Sequence, residues 1–354
     1  MSKEPPRSAL IVRLSSIGDV VHTLPAYAAL RDAWPETRLG WAVEPAAAPL
    51  IRRIPDGPAV HVLDTYPWRR GFWRSAPRRA MHTALDELRA ARYELALDFQ
   101  GLIKSAIVAR VSRASVWGLA KADLREPLAA MLYDVSVPPS DPAAHIIERS
   151  LHLAGSAGAT TSALRFPRVF GEQDESFVGA ALERRGVDRF IVMHHAANWP
   201  SKRWPLDRQA AVGRDLYRQT GLPVLWAWGP GEERDARRAA AAAGEGNAAA
   251  FPTTLPQLAA LLHRAQLFVG GDSAPLHLAV ANKTPTVGIF GPTSPHRLGP
   301  IDPADRAVVS VQPCSYCHQR RCPLGTRACL ETLAAGDVVA AARERLSMPI
   351  AQAG

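Results

Sequence analysis

Two stretches of this 354-residue chain set a carboxylate beside glycine where an apolar, strand-like run gives way to a helical pattern. At such a junction the open N–H groups of the helix favour an anion, and an acid beside them can accept a proton. The first stretch is Ser15-Ser16-Ile17-Gly18-Asp19, after the apolar run 9–13. Asp19 has two uses open to it there: to act on a substrate hydroxyl, or to complement the helix dipole as a first-turn acid. The second is Gly270-Gly271-Asp272-Ser273-Ala274-Pro275-Leu276-His277. Its glycines allow close backbone approach, Asp272 or Ser273 can cap the helix, and the N–H groups of that helix form a cradle for a diphosphate. His277, one turn in, suits packing as well as chemistry. Neither a GxxxxGK[ST] nor a GxGxxG pattern occurs in the chain, which argues against kinase, ATPase and nicotinamide-dehydrogenase readings.

Two further loops carry charge at equivalent junctions. Residues 198–205 run Asn198, Trp199, Pro200, Ser201, Lys202, Arg203, Trp204, Pro205. Lys202 is either solvated or, at the edge that holds the Gly-Gly-Asp-Ser loop, the cation that meets a leaving diphosphate. Glu232 and Glu233, after Gly229-Pro230-Gly231, suit ribose hydroxyls and helix-dipole complementation alike. The only cysteines, Cys314, Cys317, Cys322 and Cys329, fall in a Cys-x2-Cys-x4-Cys-x6-Cys stretch. That spacing fits a tetrahedral zinc site or free thiols packing a loop, and it lacks the more specific paired CxxC pattern.

Alternating elements must position these loops. Residues 9–13, 39–43, 60–63 and 95–99 read as strands, with helices over 20–32, 76–92 and 102–111; Pro25 is expected to kink the first helix. The small and polar 154–161, followed by Pro167 and Gly171, reads as a break. The alternation then restarts with strands at 190–194, 224–228, 267–269 and 286–290 and helices at 205–220, 232–243, 255–264 and 274–282. Two successive doubly wound α/β domains with a cleft between them follow, and ligands of such sheets gather at the carboxyl ends of the strands.

Hydrophobic residues at 47% and charged residues at 21% exclude wholesale disorder. The net charge is +9, and residues 68–125 hold twelve Lys/Arg against five Asp/Glu, +7 of it. An anionic partner is expected. Nucleic acid, an anionic membrane surface and a phosphorylated substrate all satisfy that charge, but a nucleic-acid reading leaves the Asp19 and Asp272 loops without a use. No apolar run approaches the ~18–20 residues that span a bilayer, and the N-terminus lacks a signal-peptide pattern; a cytosolic protein is expected.

In combination the loops resemble those of the lipopolysaccharide heptosyltransferases. The residues that carry the resemblance are RLSSIGDVVHTLP at 13–25, DFQGLIKS at 98–105, REPLA at 125–129, KRWP at 202–205, GDSAPLH at 271–277 and GPT at 291–293. It implies an α/β chain of the GT-B fold, two doubly wound Rossmann-like domains facing a central cleft. Residues 1–160 form the acceptor domain, 161–175 a linker, 176–335 the ADP-heptose domain and 336–354 a C-terminal helix and tail. The implied reaction is inverting transfer of heptose from ADP-heptose to Kdo2-lipid A, the heptosyltransferase I reaction. The cysteine stretch is more similar to heptosyltransferase II and its relatives, so an already heptosylated acceptor is the alternative.

The resemblance also assigns roles. Asp19 is the general base, an Asp of ordinary pKa about 3.9 being a weak base that takes its proton late. Lys202, with the Ser273 and Ala274 N–H groups, meets the departing ADP. Gly18, Asn198, Gly271 and His277 belong to the donor site, where Asp272 orients heptose hydroxyls or the loop, and Glu232 or Glu233 holds ribose. Arg69, Arg70, Arg74, Lys104 and Arg125 are the expected acceptor-phosphate ligands. No metal or other cofactor is required. The enzyme is expected to sit peripherally on the inner leaflet of the inner membrane, with Trp68, Phe72 and Trp73 entering the interface.

Overall fold

A computed structural model describes residues 4–65, 75–161 and 163–348. The chain divides into two compact units, Met1–Val169 and Phe170–Gly354. Among the described residues the first unit holds strands β1 (Ser8–Val12), β2 (Arg38–Val43), β3 (Ala59–Val62), β4 (Leu95–Asp98), β5 (Ser115–Gly118) and β6 (Val135–Ser136). They pair in parallel in the order β3-β2-β1-β4-β5-β6. The second unit repeats the scheme with β7 (Ile191–His194), β8 (Val224–Ala227), β9 (Asn247–Ala249), β10 (Leu267–Gly271), β11 (Thr286–Phe290) and β12 (Arg306–Val309), ordered β12-β11-β10-β7-β8-β9. Each sheet therefore reverses direction beside its first strand, between β1 and β4 and between β7 and β10. Val12 lies opposite Asp98, and His194 opposite Gly270. Loops leaving those strand ends are brought together by register alone, and such reversals are where open α/β sheets bind ligands.

Continuous apolar runs make these central strands. SALIV in β1, LALD in β4 and IVMH in β7 are buried along their whole length, as parallel strands covered on both faces require. Helices on either side bury matching faces and start on local signals. Thr254 Oγ1 accepts from Gln257 N while Gln257 Oε1 accepts from Thr254 N, a capping box for the helix Leu255–Arg264. Gly221, at φ +69°, ends the helix Leu206–Thr220 in the left-handed conformation that glycine adopts without strain.

The helix Ile17–Ala33 is continuous through Pro25, with most of its residues buried. Two differences from the sequence reading have physical causes. A helix over Ile146–Ser156 enters the stretch read as a break. It packs on the helix Ile17–Ala33 and is capped by His145, whose Nδ1 accepts from Ile147 N at 3.2 Å. A further helix, Glu172–Glu183, begins within 161–175, where Asp174 accepts from Gly171 N. The C-terminal helix Ala335–Ser347 packs on β11 and β12 and is pinned there by Arg345 Nε on Asp305 Oδ1 at 2.7 Å.

Candidate functional site

In the first unit the loop after β1 carries the candidate base. Asp19 is the third residue of the helix Ile17–Ala33, and its Oδ2 accepts from Ser16 N at 3.0 Å and Ser16 Oγ at 2.9 Å. Its Oδ1 lies 2.9 Å from Nη2 of Arg13, a buried guanidinium that also donates to the Phe99 carbonyl. The capping role and the reactive role are thus compatible: Asp19 holds the turn and still exposes 37% of its side chain. Gly18 is buried beside it.

Lys104, an expected acceptor-phosphate ligand, belongs to the same cluster. Its Nζ donates to Glu44 Oε1 at 2.7 Å, to Ser15 Oγ at 3.2 Å and to Thr65 Oγ1 at 3.3 Å. Burial works to raise the Glu44 carboxyl, but hydrogen bonds from Lys104 and Thr65 and the Lys104 charge outweigh it and hold it below the usual range. The cation is neutralised and clamps the Ser15 loop. Of the other expected acceptor ligands, Arg125 is exposed, whereas Arg69, Arg70 and Arg74 lie outside the described residues, as do Trp68, Phe72 and Trp73.

The DFQG turn after β4 is built on Asp98, which is fully buried. Its Oδ1 accepts from Gln100 N at 2.9 Å and Gly101 N at 3.2 Å; its Oδ2 accepts from Ser105 Oγ at 2.9 Å and Tyr133 Oη at 2.8 Å. Gly101 has φ +68°, and the bare Cα of Gly118 leaves the room that the Tyr133 ring needs to reach Asp98. Burial, acting against these neutral donors, raises the Asp98 carboxyl above its ordinary value. Gln100 then hands the turn to the Asp19 loop, its Oε1 accepting from Leu14 N at 2.8 Å.

In the second unit the candidate cation and the Gly-Gly-Asp-Ser loop meet directly. Lys202 Nζ lies 2.6 Å from Asp272 Oδ2 and 4.4 Å from the centre of the Trp199 ring. Asp272 also accepts from Thr293 Oγ1 at 2.7 Å and from His277 Nε2 at 3.1 Å. Its carboxylate is 4% exposed, so it orients Lys202 and the loop and turns little toward solvent. Burial pushes this carboxyl up, yet the hydrogen bond from His277 and the charge of Lys202 drive it well below the usual range. Ser273 occupies the N-cap position of the helix Ala274–Ala281 without a side-chain capping bond, its Oγ donating to the Gly271 carbonyl at 3.1 Å; Pro275 has no N–H to offer, and the N–H groups of Ser273 and Ala274 stand at the helix end. The backbone of Gly271 passes the Lys202 carbonyl closely, a Cβ there lying 3.6 Å from it. Asn198 is exposed at the start of the Lys202 loop.

Glu232 and Glu233 part company. Glu232 accepts from Gly229 N at 2.8 Å and lies 3.3 Å from His194 Nε2, at the end of β7. Burial opposes its ionisation, but His194 and the Gly229 N–H bring the carboxyl down to about 2. Glu233 pairs with Arg237 along the helix surface. Behind them, burial and the neighbouring His194 lower His195 to about 4; His195 lines a narrow cavity with Lys202, Gln209 and Ile289.

The cysteine loop has a mechanical part here. The four thiols are free, and among the described residues no group of three or more His, Cys, Asp or Glu side chains is disposed to hold a metal ion. Arg327 N–H donates to Cys322 Sγ at 3.4 Å. Tyr316 N and His318 N donate to the carbonyls of Gly291 and Pro292, while Ser201 N and Oγ donate to those of Arg320 and Gln319. The loop thereby straps the Lys202 turn to the Thr293 turn.

Arg13, Glu44, Gln100 and Thr293 are site residues that the sequence reading passed over as such. Glu44 directly follows β2, so the strand-end rule applied to that strand finds it.

Comparison with known proteins gives the family and the fold. The family model for glycosyltransferase family 9 (heptosyltransferase) matches residues 81–327. Lipopolysaccharide heptosyltransferase 1 of Pseudomonas aeruginosa is 32% identical over 324 residues, 88% of this chain and 86% of that one. The protein of the same name from Escherichia coli K12 is 31% identical over 301 residues, 82% of this chain and 89% of that one. Among solved structures, E. coli heptosyltransferase WaaC with ADP superposes with a TM-score of 0.75 at 25% identity, covering 96% of this chain and 99% of that one. The pair of doubly wound sheets is accordingly the GT-B fold. The chain belongs to glycosyltransferase family 9, the heptosyltransferases.

Proposed function

We propose that this protein transfers L-glycero-D-manno-heptose from ADP-heptose to Kdo2-lipid A in lipopolysaccharide inner-core synthesis, working peripherally at the cytoplasmic face of the inner membrane. The observation that carries this reading is the likeness to lipopolysaccharide heptosyltransferase 1 over more than four-fifths of the chain. The site chemistry supports it. A Kdo hydroxyl attacks the anomeric carbon of heptose, the bond from that carbon to the ADP oxygen breaks, and the configuration inverts. The hydroxyl proton passes to Asp19, whose Oδ2 already accepts an O–H from Ser16. Negative charge developing on ADP is met by Lys202, aimed by Asp272, and by the Ser273 and Ala274 N–H groups; each well-aimed donor is worth about 3 kcal/mol in such a role. Glu232, in preference to Glu233, takes the ribose. Fixed cations and a helix end supply what a metal would, so we propose that transfer needs no metal. Among the described residues no helix is long and apolar enough to cross a membrane, in keeping with peripheral attachment.

Product analysis with ADP-heptose tests the reading, using Kdo2-lipid A and its heptosylated derivative as acceptors, with and without EDTA. We expect transfer to the first acceptor at a rate EDTA leaves unchanged, and loss of at least ~10³-fold in Asp19→Asn with ADP-heptose binding retained. Transfer only to the heptosylated acceptor would support the heptosyltransferase II alternative, and wild-type rates in Asp19→Asn would overturn the base.

A further inference from the structure

Eight large apolar side chains are exposed among the described residues, and four of them stand on two neighbouring elements of the first unit. Ile103 and Ile107 lie one turn apart on the outer side of the helix Ile103–Val111. Leu128 and Met131, 62% and 79% exposed, lie on the 3-10 helix Pro127–Leu132 that packs against it. The remaining exposed apolar residues, Leu164, Phe177, Val311 and Leu324, are far apart in sequence. Single exposed apolar residues are ordinary, but adjacent ones on two packed elements make a patch that marks an interaction site.

The surroundings of the patch are cationic. Arg89, Arg110 and Arg113 line a cavity with Ile107 and Leu132 at its edge. Arg89 and Arg110 have surface partners in Asp86 and Asp134, while Arg113, Lys121 and Arg125 are exposed and make no ion pair among the described residues. Of the acids in the same stretch, Glu126 is engaged by Ile103 N at 2.8 Å and Asp123 by Arg149 at 3.4 Å. Apolar tips within a ring of cations are the pattern of a surface that lies on anionic headgroups: the apolar groups enter the interfacial layer and the cations stay at its level. The patch also begins beside the chemistry, because Ile103 precedes Lys104, whose amine holds the Ser15 hydroxyl next to Asp19.

We propose that this face, with Ile103, Ile107, Leu128 and Met131 at its centre and Arg113, Lys121 and Arg125 around it, docks on an anionic lipid bilayer. The proposal rests on the reading above in one respect, that the acceptor is a lipid, and it names the surface that presents the enzyme to it. Docking here brings a membrane-embedded acceptor to the Asp19 edge of the first unit.

Flotation of the full-length protein with vesicles of phosphatidylglycerol and phosphatidylethanolamine, against vesicles of phosphatidylcholine alone, tests it. The wild type is expected to float with the anionic vesicles and to be released by salt. Leu128→Ser/Met131→Ser should lower the bound fraction by about tenfold, whereas Val311→Ser, another exposed apolar position, should leave it unchanged. Transfer to a deacylated, water-soluble acceptor should be the same in all three proteins. Flotation of the double variant at the wild-type level overturns the docking face. So does a double variant that merely dissociates an oligomer while still floating, because the face is then an interface between copies. Failure of every protein on the soluble acceptor, with flotation as expected, overturns the proposed reaction and leaves the docking face standing.

Discussion

Asp98 and Asp272 stand at corresponding strand ends in two copies of one topology: Asp98 closes the fourth strand of the first unit and Asp272 directly follows the fourth strand of the second, each beside the point where its sheet reverses. Both are buried, at 0% and 5%. Their carboxyls nevertheless move in opposite directions, Asp98 up and Asp272 well down. Burial acts alike on both, so the partners decide. Asp98 is surrounded by two hydroxyls and two backbone N–H groups, all neutral. Asp272 faces the Lys202 ammonium at 2.6 Å, with His277 and Thr293 completing its shell. The first site is a brace for a turn. The second is an anion kept ionised beside a cation, the one that meets the leaving ADP in the proposed reaction.

Removing the charge while keeping the shape is the strongest way to break the comparison. In Asp272→Asn, the Lys202 ammonium is left without its anion in a pocket where it is 14% exposed. Breaking a buried pair by removing one partner costs about 3–5 kcal/mol. Transfer should fall by at least ~10²-fold as Lys202 loses its aim. Urea denaturation and initial rates with ADP-heptose measure both. A variant with wild-type stability and rate would show that Thr293 and His277 hold the loop without the carboxylate charge, and the contrast with Asp98 would then be void.

The first strands differ in the same sense. β1 is followed by Arg13, a cation paired with Asp19, whereas β7 ends at His194 and is followed by His195, which titrates. His195 is lowered to about 4 by burial, and by His194 second. The fold thus keeps it neutral, while the unfolded chain binds a proton near 6.5. Stability should therefore be lost as pH falls from 6.5 and should level off near 4. The partly accessible ring reduces the full linkage value to something on the order of 2 kcal/mol. Glu232, at about 2, acts in a lower window, below the ordinary carboxylate value near 4.5. Denaturation midpoints between pH 7 and 4 should show the loss in the wild type and its absence in His195→Asn; a parallel slope in that variant would move the effect to another group.

The positions of the charged loops at strand-to-helix junctions were legible, from glycine beside a carboxylate at Asp19 and Asp272 and from prolines and tryptophans around Lys202. Partnerships were not, because they join residues far apart in the chain. Lys104 reads as a free cation in the most basic stretch, yet its partner Glu44 arrives from 60 residues away, carried in by β2. The choice between Glu232 and Glu233 turns on a single helical residue: the first stays in the loop toward His194, and the second enters the helix and meets Arg237. The cysteine loop has no periodicity to read, and its hold on the Ser201 and Gly291 turns consists, apart from the Ser201 hydroxyl, of backbone hydrogen bonds that do not depend on side-chain identity. The helix Ile146–Ser156 was obscured by the glycines and serines at its end, where packing on the helix Ile17–Ala33 overrides weak propensity.

The smallest effect is expected at Asp98 itself, and it sharpens the contrast most. In Asp98→Asn the side-chain oxygen can keep the Gln100 and Gly101 N–H groups, and the new NH2 faces Ser105 and Tyr133. Both are hydroxyls and can turn to accept, Ser105 already having the Leu102 carbonyl at 2.8 Å as an alternative acceptor. The substitution also removes an ionisation that burial opposes. Stability should change by no more than about 1 kcal/mol, and the transfer rate by less than threefold. A loss comparable to that of Asp272→Asn would mean that the Asp98 charge is in use, through Gln100 and the Leu14 amide, at the Asp19 loop, and that the first unit too keeps an ionised acid for the reaction.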